Sequence, residues 1–161
     1  MSVPACGLEP TYGLQTAMDE NAYRSAYDAA NPLPCSFEKA ILTRFCGCEL
    51  AGKINLAERE AVSCRSAAAC DDCRALHSLL RHNAMFALKL IHEGPLPHAK
   101  ELKVQCGGLL GLQRALGVEA DHVANVFGLV VAAQKKYGSL SALPYGEIVQ
   151  SIAAYEGRRR S

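Results

Sequence analysis

Net charge, aromatic residues and long apolar runs are all scarce in this sequence. Seventeen Lys and Arg face sixteen Asp and Glu, leaving a formal charge of +1 over 161 residues. Such a balanced chain lacks the strong positive field that drives non-specific binding to nucleic acid. No apolar run approaches the roughly 20 residues that cross a bilayer. The longest, from Val123 to Ala133, is short and is interrupted by Asn125. The opening Met-Ser-Val-Pro-Ala-Cys has neither the basic nor the apolar region of a secretory leader. Nucleotide-binding glycine loops, His-Glu-x-x-His and Gly-x-Ser-x-Gly are also absent. These absences argue against a nucleic-acid partner, a membrane partner and the common enzyme classes, and they make a reducing, cytoplasmic setting the expectation.

Cysteine, by contrast, is plentiful. The chain has eight, about five per cent of its residues, in a setting where structural disulfides do not normally persist. A domain of this size buries enough apolar surface to fold without such staples. Six of the eight fall between positions 35 and 73: Cys35, Cys46, Cys48, Cys64, Cys70 and Cys73. A single reduced cysteine is usually a small core hydrophobe. Six so close together, two of them as Cys46-Gly47-Cys48, point instead to a thiolate site for a soft metal.

Half the residues are apolar and a fifth are charged, as in a folded globular domain. Residues 1–34 hold four of the seven prolines and read as an irregular N-terminal arm; residues 35–161 read as one helical, cysteine-rich domain. A first helix is expected from Ser36 towards Gly52. A short one over Leu56–Cys64 is suggested by Asn55 and Glu58, which resemble a capping box. Further helices are expected over about 66–92, 98–116, 120–137 and 144–157, bounded by the Gly94-Pro95 pair, Gly117, Gly138 and Gly157. No run alternates like a strand, and no Asn-Gly or Asp-Gly turn is present. The predicted fold class is therefore all-α, a compact bundle of five or six helices.

Helical phase then sorts the thiols. Cys73 lies in register with Leu76 and Leu80 and is expected to face inward, whereas Cys70 shares its face with Arg74, His77 and Arg81 and is expected to face water. Cys48 continues the Phe37–Ile41–Phe45 row, and Gly47 lets Cys46 approach the same point. The expected ligands are Cys46, Cys48, Cys64 and Cys73, with Cys35, Cys70, Cys106 and His77 as secondary candidates. Ligands spread over several helical segments, without knuckle-like paired Cys-x₂-Cys units, favour a four-thiolate [4Fe–4S] or [2Fe–2S] iron–sulfur cluster over zinc. The functional expectation is a small iron–sulfur protein in electron transfer, redox sensing or support of a metalloenzyme system, working with a redox or metalloenzyme protein partner. The alternatives are a zinc-stabilised interaction module and a thiol switch with Cys70 or Cys35 as its exposed group. Cys106-Gly107-Gly108-Leu109-Leu110-Gly111 is read as a small-residue packing face, and Arg158–Arg160 as a solvated tail.

Overall fold

In the computed structural model, residues 12–157 are described, with side chains from residue 20 onward. Cys6 and the Arg158–Arg160 tail lie outside these residues. The chain runs α1 (Tyr12–Ala30), α2 (Glu38–Leu42), β1 (Ala51–Leu56), β2 (Arg59–Cys64), α3 (Ala67–Ala84), α4 (His98–Leu102), α5 (Gly108–Ala115), α6 (Val126–Tyr137) and α7 (Tyr145–Ala154). A π-helical turn, Lys103–Gly107, links α4 to α5, and a 3₁₀ turn, Leu140–Ala142, precedes α7. No helix among the described residues is long and apolar enough to cross a membrane.

The all-α expectation is overturned by the antiparallel hairpin β1–β2, paired from Ala51↔Cys64 to Leu56↔Arg59. The helix expected over Leu56–Cys64 is instead its return strand. Two features hide the hairpin. The two-residue loop Ala57-Glu58 gives the left-handed conformation (φ 56°) to an alanine, where glycine or asparagine is the usual signal. Asn55 and Glu58 meanwhile mimic a helix cap but face solvent at the hairpin tip. The arm also departs from expectation, since residues 12–30 are helical. Helix α1 is tied to the hairpin by an Arg59–Glu20 ion pair and by Asn31 Nδ2, which donates to Val62 O at 3.0 Å.

Segment 33–35 adds a short third edge to β2. Cys35 N donates to Val62 O (3.0 Å) and Cys64 N to Leu33 O (2.8 Å). The helix after Ser36 is shorter than expected. It ends at Leu42, and Arg44 (φ 62°) turns the chain away. Residues 46–49 are then pinned to the start of α6. Gly47 N donates to Val123 O, Val126 N to Gly47 O, and Glu49 N to Asn125 Oδ1. A Cβ on Gly47 would lie 3.0 Å from Ala124 O, so the close approach needs glycine.

The core lies between α3, the π turn with α5, and α7, where Leu76, Leu80, Leu109, Leu112, Ile148 and Ile152 are fully buried. The glycines after Cys106 form the contact. A Cβ on Gly107 would come within 2.7 Å of Ile152 Cα, and one on Gly111 within 3.0 Å of Ile148 Cα. Gly107→Ala should therefore destabilise the fold by about 1–3 kcal/mol, the usual cost of overpacking against backbone. Gly146→Ala, where nothing lies within 4 Å, should be neutral or stabilise by up to about 1 kcal/mol. Urea unfolding of the two variants checks both; equal effects would refute the helix contact.

Candidate metal centre

Five cysteines from separate parts of the chain line one small cavity: Cys35, Cys48, Cys64, Cys70 and Cys73. Cys35 is held by its bond to β2, and Cys48 by the tether to α6. Cys64 ends β2. Cys70 and Cys73 lie in the first turns of α3, whose N-cap is Ser66, with Oγ accepting from Ala69 N. Leu50, Val126 and Phe127 supply apolar wall, and no carboxylate, amine or imidazole lines the cavity. The donor set is therefore sulfur alone, apart from two serines.

Of the four expected ligands, Cys48, Cys64 and Cys73 meet at this cavity, together with Cys35 and Cys70. Cys46 does not line it. Because the chain leaves the helix at Thr43–Arg44, Cys46 is carried into a parallel bridge with Val123, buried, where Cys106 is its main electrostatic neighbour. Cys106 is itself buried in the π turn, and its thiol interacts with Tyr155 and Thr43. The helical-phase argument also fails for one thiol. Cys70 is 1% exposed, because residues 33–36 cover the first turn of α3; its Sγ donates to Pro34 O (3.6 Å) and lies 3.7 Å from Arg74 Nη2. Cys73 is only half-buried.

Burial pushes the thiols of Cys35 and Cys73 up to about 12, with neighbouring cysteines adding to the effect. Burial also raises Cys70, against the pull of the Arg74 guanidinium. Cys35, Cys70 and Cys73 are thus held in the neutral thiol form.

His77, expected to be solvated, does not reach the cavity. It sits edge-on to Phe37, and its Nε2 donates to Glu101 Oε1 at 2.6 Å. Glu101 also accepts from Gln105 Nε2, and Gln105 Oε1 accepts from Ala40 N. Burial opposes ionisation of Glu101, but the bonds from His77 and Gln105 outweigh it and hold the carboxyl below the usual carboxylate range. This chain ties α3, the π turn and α2 together. Its only trace in the sequence is polar residues on otherwise apolar helix faces.

Comparison of the chain with protein-family models, curated proteins and solved structures finds no match.

Two opposite pH effects follow. A depressed Glu101 contributes stability that is present above pH 4.5 and is lost as pH falls through its folded value. Glu101→Gln should weaken the fold by about 1.5–3 kcal/mol at neutral pH and flatten its acid unfolding profile. The raised thiols act in the other direction. Metal-free protein should lose stability as pH rises from about 9 towards 12, because the unfolded thiols ionise first. A Cys35→Ala, Cys73→Ala double variant should show a shallower alkaline slope, the remainder coming from Cys46, Cys70 and Cys106, which burial also raises. Denaturant midpoints across pH measure both, and a wild-type profile flat from pH 8 to 11 would refute the neutral-thiol assignment.

Proposed function

We propose that the protein is an iron–sulfur protein whose cluster is held by Cys35, Cys48, Cys64 and Cys73. The observation that carries this reading is the convergence of five cysteines on one small, otherwise uncharged cavity. Among the described residues, no three His, Cys, Asp or Glu side chains are placed to hold a single ion. Four thiolates on one zinc, at about 2.3 Å each, would lie roughly 3.8 Å apart. A cluster spreads its thiolates over several irons, and the cavity offers a lining of sulfur and apolar side chains for one. Cys70 is the thiol left over, because it is 1% exposed and its sulfur is already engaged by Pro34 O and the Arg74 guanidinium, whereas the other four are half-buried.

When bound, such a group supplies one-electron transfer. The chain's own part is to surrender thiol protons on binding, hold the thiolates from four separate segments, and exclude water with Leu50, Val126 and Phe127. Electron transfer, redox sensing and support of a metalloenzyme system, each with a redox protein partner, are the roles open to such a site.

Anaerobic reconstitution with iron and sulfide tests the reading. The wild-type protein should turn brown, with broad visible absorbance and near-stoichiometric iron and sulfide. Cys35→Ser, Cys48→Ser or Cys73→Ser should each lose most of that signal, whereas Cys46→Ser should retain it. A colourless protein that takes up zinc but no sulfide would overturn the proposal.

A further inference from the structure

A cluster takes four thiolates, and the cavity offers five. The structure places the fifth, Cys70, beside one of the proposed ligands. Cys64 Sγ donates to Ser66 O at 3.3 Å, and Cys70 N donates to that same carbonyl at 2.9 Å. On the other side, Cys70 Sγ reaches Pro34 O at 3.6 Å, while Cys64 N is bonded to the preceding carbonyl, Leu33 O, at 2.8 Å. Two neighbouring stretches of backbone, 33–34 and 66, therefore clamp both residues, and their side chains interact directly. Their surroundings differ. Cys64 is half-buried, whereas Cys70 is 1% exposed and flanked by the Arg74 guanidinium.

We infer that Cys64 and Cys70 form a redox pair that closes to a disulfide when the cluster is lost and a peroxide is present. This inference rests on the cluster reading only for what holds Cys64 in the loaded protein; the pair itself stands on its geometry. The chemistry balances in two steps. The Cys64 thiol attacks one oxygen of hydrogen peroxide, the O–O bond breaks, and Cys64 sulfenic acid and one water form. Cys70 sulfur then attacks the Cys64 sulfur, the S–O bond breaks, and the hydroxyl leaves with the Cys70 proton as a second water. Two thiols are oxidised and one peroxide is reduced. The Arg74 guanidinium steadies negative charge on the attacking sulfur. The result would be a protein that records cluster loss as a covalent bond between the end of β2 and the first turn of α3, reversible by thiol reductants.

The test uses full-length, metal-free, reduced protein exposed to stoichiometric hydrogen peroxide, followed by non-reducing peptide mapping with fragmentation. A Cys64–Cys70 link should dominate in the wild type and in Cys73→Ser, and should vanish in Cys70→Ser. There Cys64 should instead accumulate as a sulfenic acid that dimedone traps. A dominant Cys70–Cys73 or Cys35–Cys73 link, or no link with oxidation spread evenly over the thiols, would overturn the inference. In cluster-loaded protein the link should appear only as visible absorbance bleaches; a link formed without bleaching would overturn the claim that the cluster guards Cys64. If the chain binds no iron yet forms the link, the cluster reading falls and the pair stands. If the cluster assembles and the link never forms, the pair alone falls.

Discussion

The peptide groups of Val62 are the joint on which the rest of the site depends. Its N–H donates to Glu38 Oε2, and its carbonyl accepts from both Cys35 N and Asn31 Nδ2. One residue of β2 thereby fixes the end of α1, the strand before α2 and the first residue of α2. Val62 itself is fully buried, so each of these bonds is made where an unpaired backbone group would cost about 1–3 kcal/mol. Without that joint, Cys35 would have no fixed position relative to Cys64, and the cover over the first turn of α3 would lift.

Around this joint the thiols arrive by very different routes. Cys70 and Cys73 come on a well-capped helix and Cys64 on a strand end. Cys48 comes on a loop whose shape is imposed from outside, by Val123, Asn125 and Val126. A helix alone could not gather them. The hairpin supplies the reach, turning the chain back after Leu56 so that residues sixteen apart, Cys48 and Cys64, meet at one cavity.

What could be read in the sequence follows the range of the forces involved. Ser66 as a helix cap, and Gly117 and Gly138 at helix ends with φ near 85°, are local effects and were legible. So was the concentration of thiols between 35 and 73. The hairpin was not, because its turn uses alanine where the usual signal is glycine or asparagine. The burial of Cys70 was not legible either: helical phase describes a helix's own pattern, and residues 33–36 cover the polar face from far along the chain. Cys46 was misplaced for a related reason. The helix expected to carry it past Gly47 is outcompeted by the pairing of residues 46–47 with 123–126.

The π turn at Lys103–Gly107 amounts to one extra residue wound into an otherwise continuous helix. An added residue rotates everything before it by about a quarter turn or more relative to everything after, at 3.6 residues per turn. That offset lets a single rod serve two masters. Ahead of it Glu101 faces His77, and within it Gln105 turns to Ala40; its last residue, Gly107, and Gly111 beyond it lie against α7. In a regular α-helix, the phase that seats the glycines would swing the carboxylate away from its imidazole. The irregularity is thus a phase shifter, coupling the polar chain behind the thiol-bearing helix to the tightest packed face of the core.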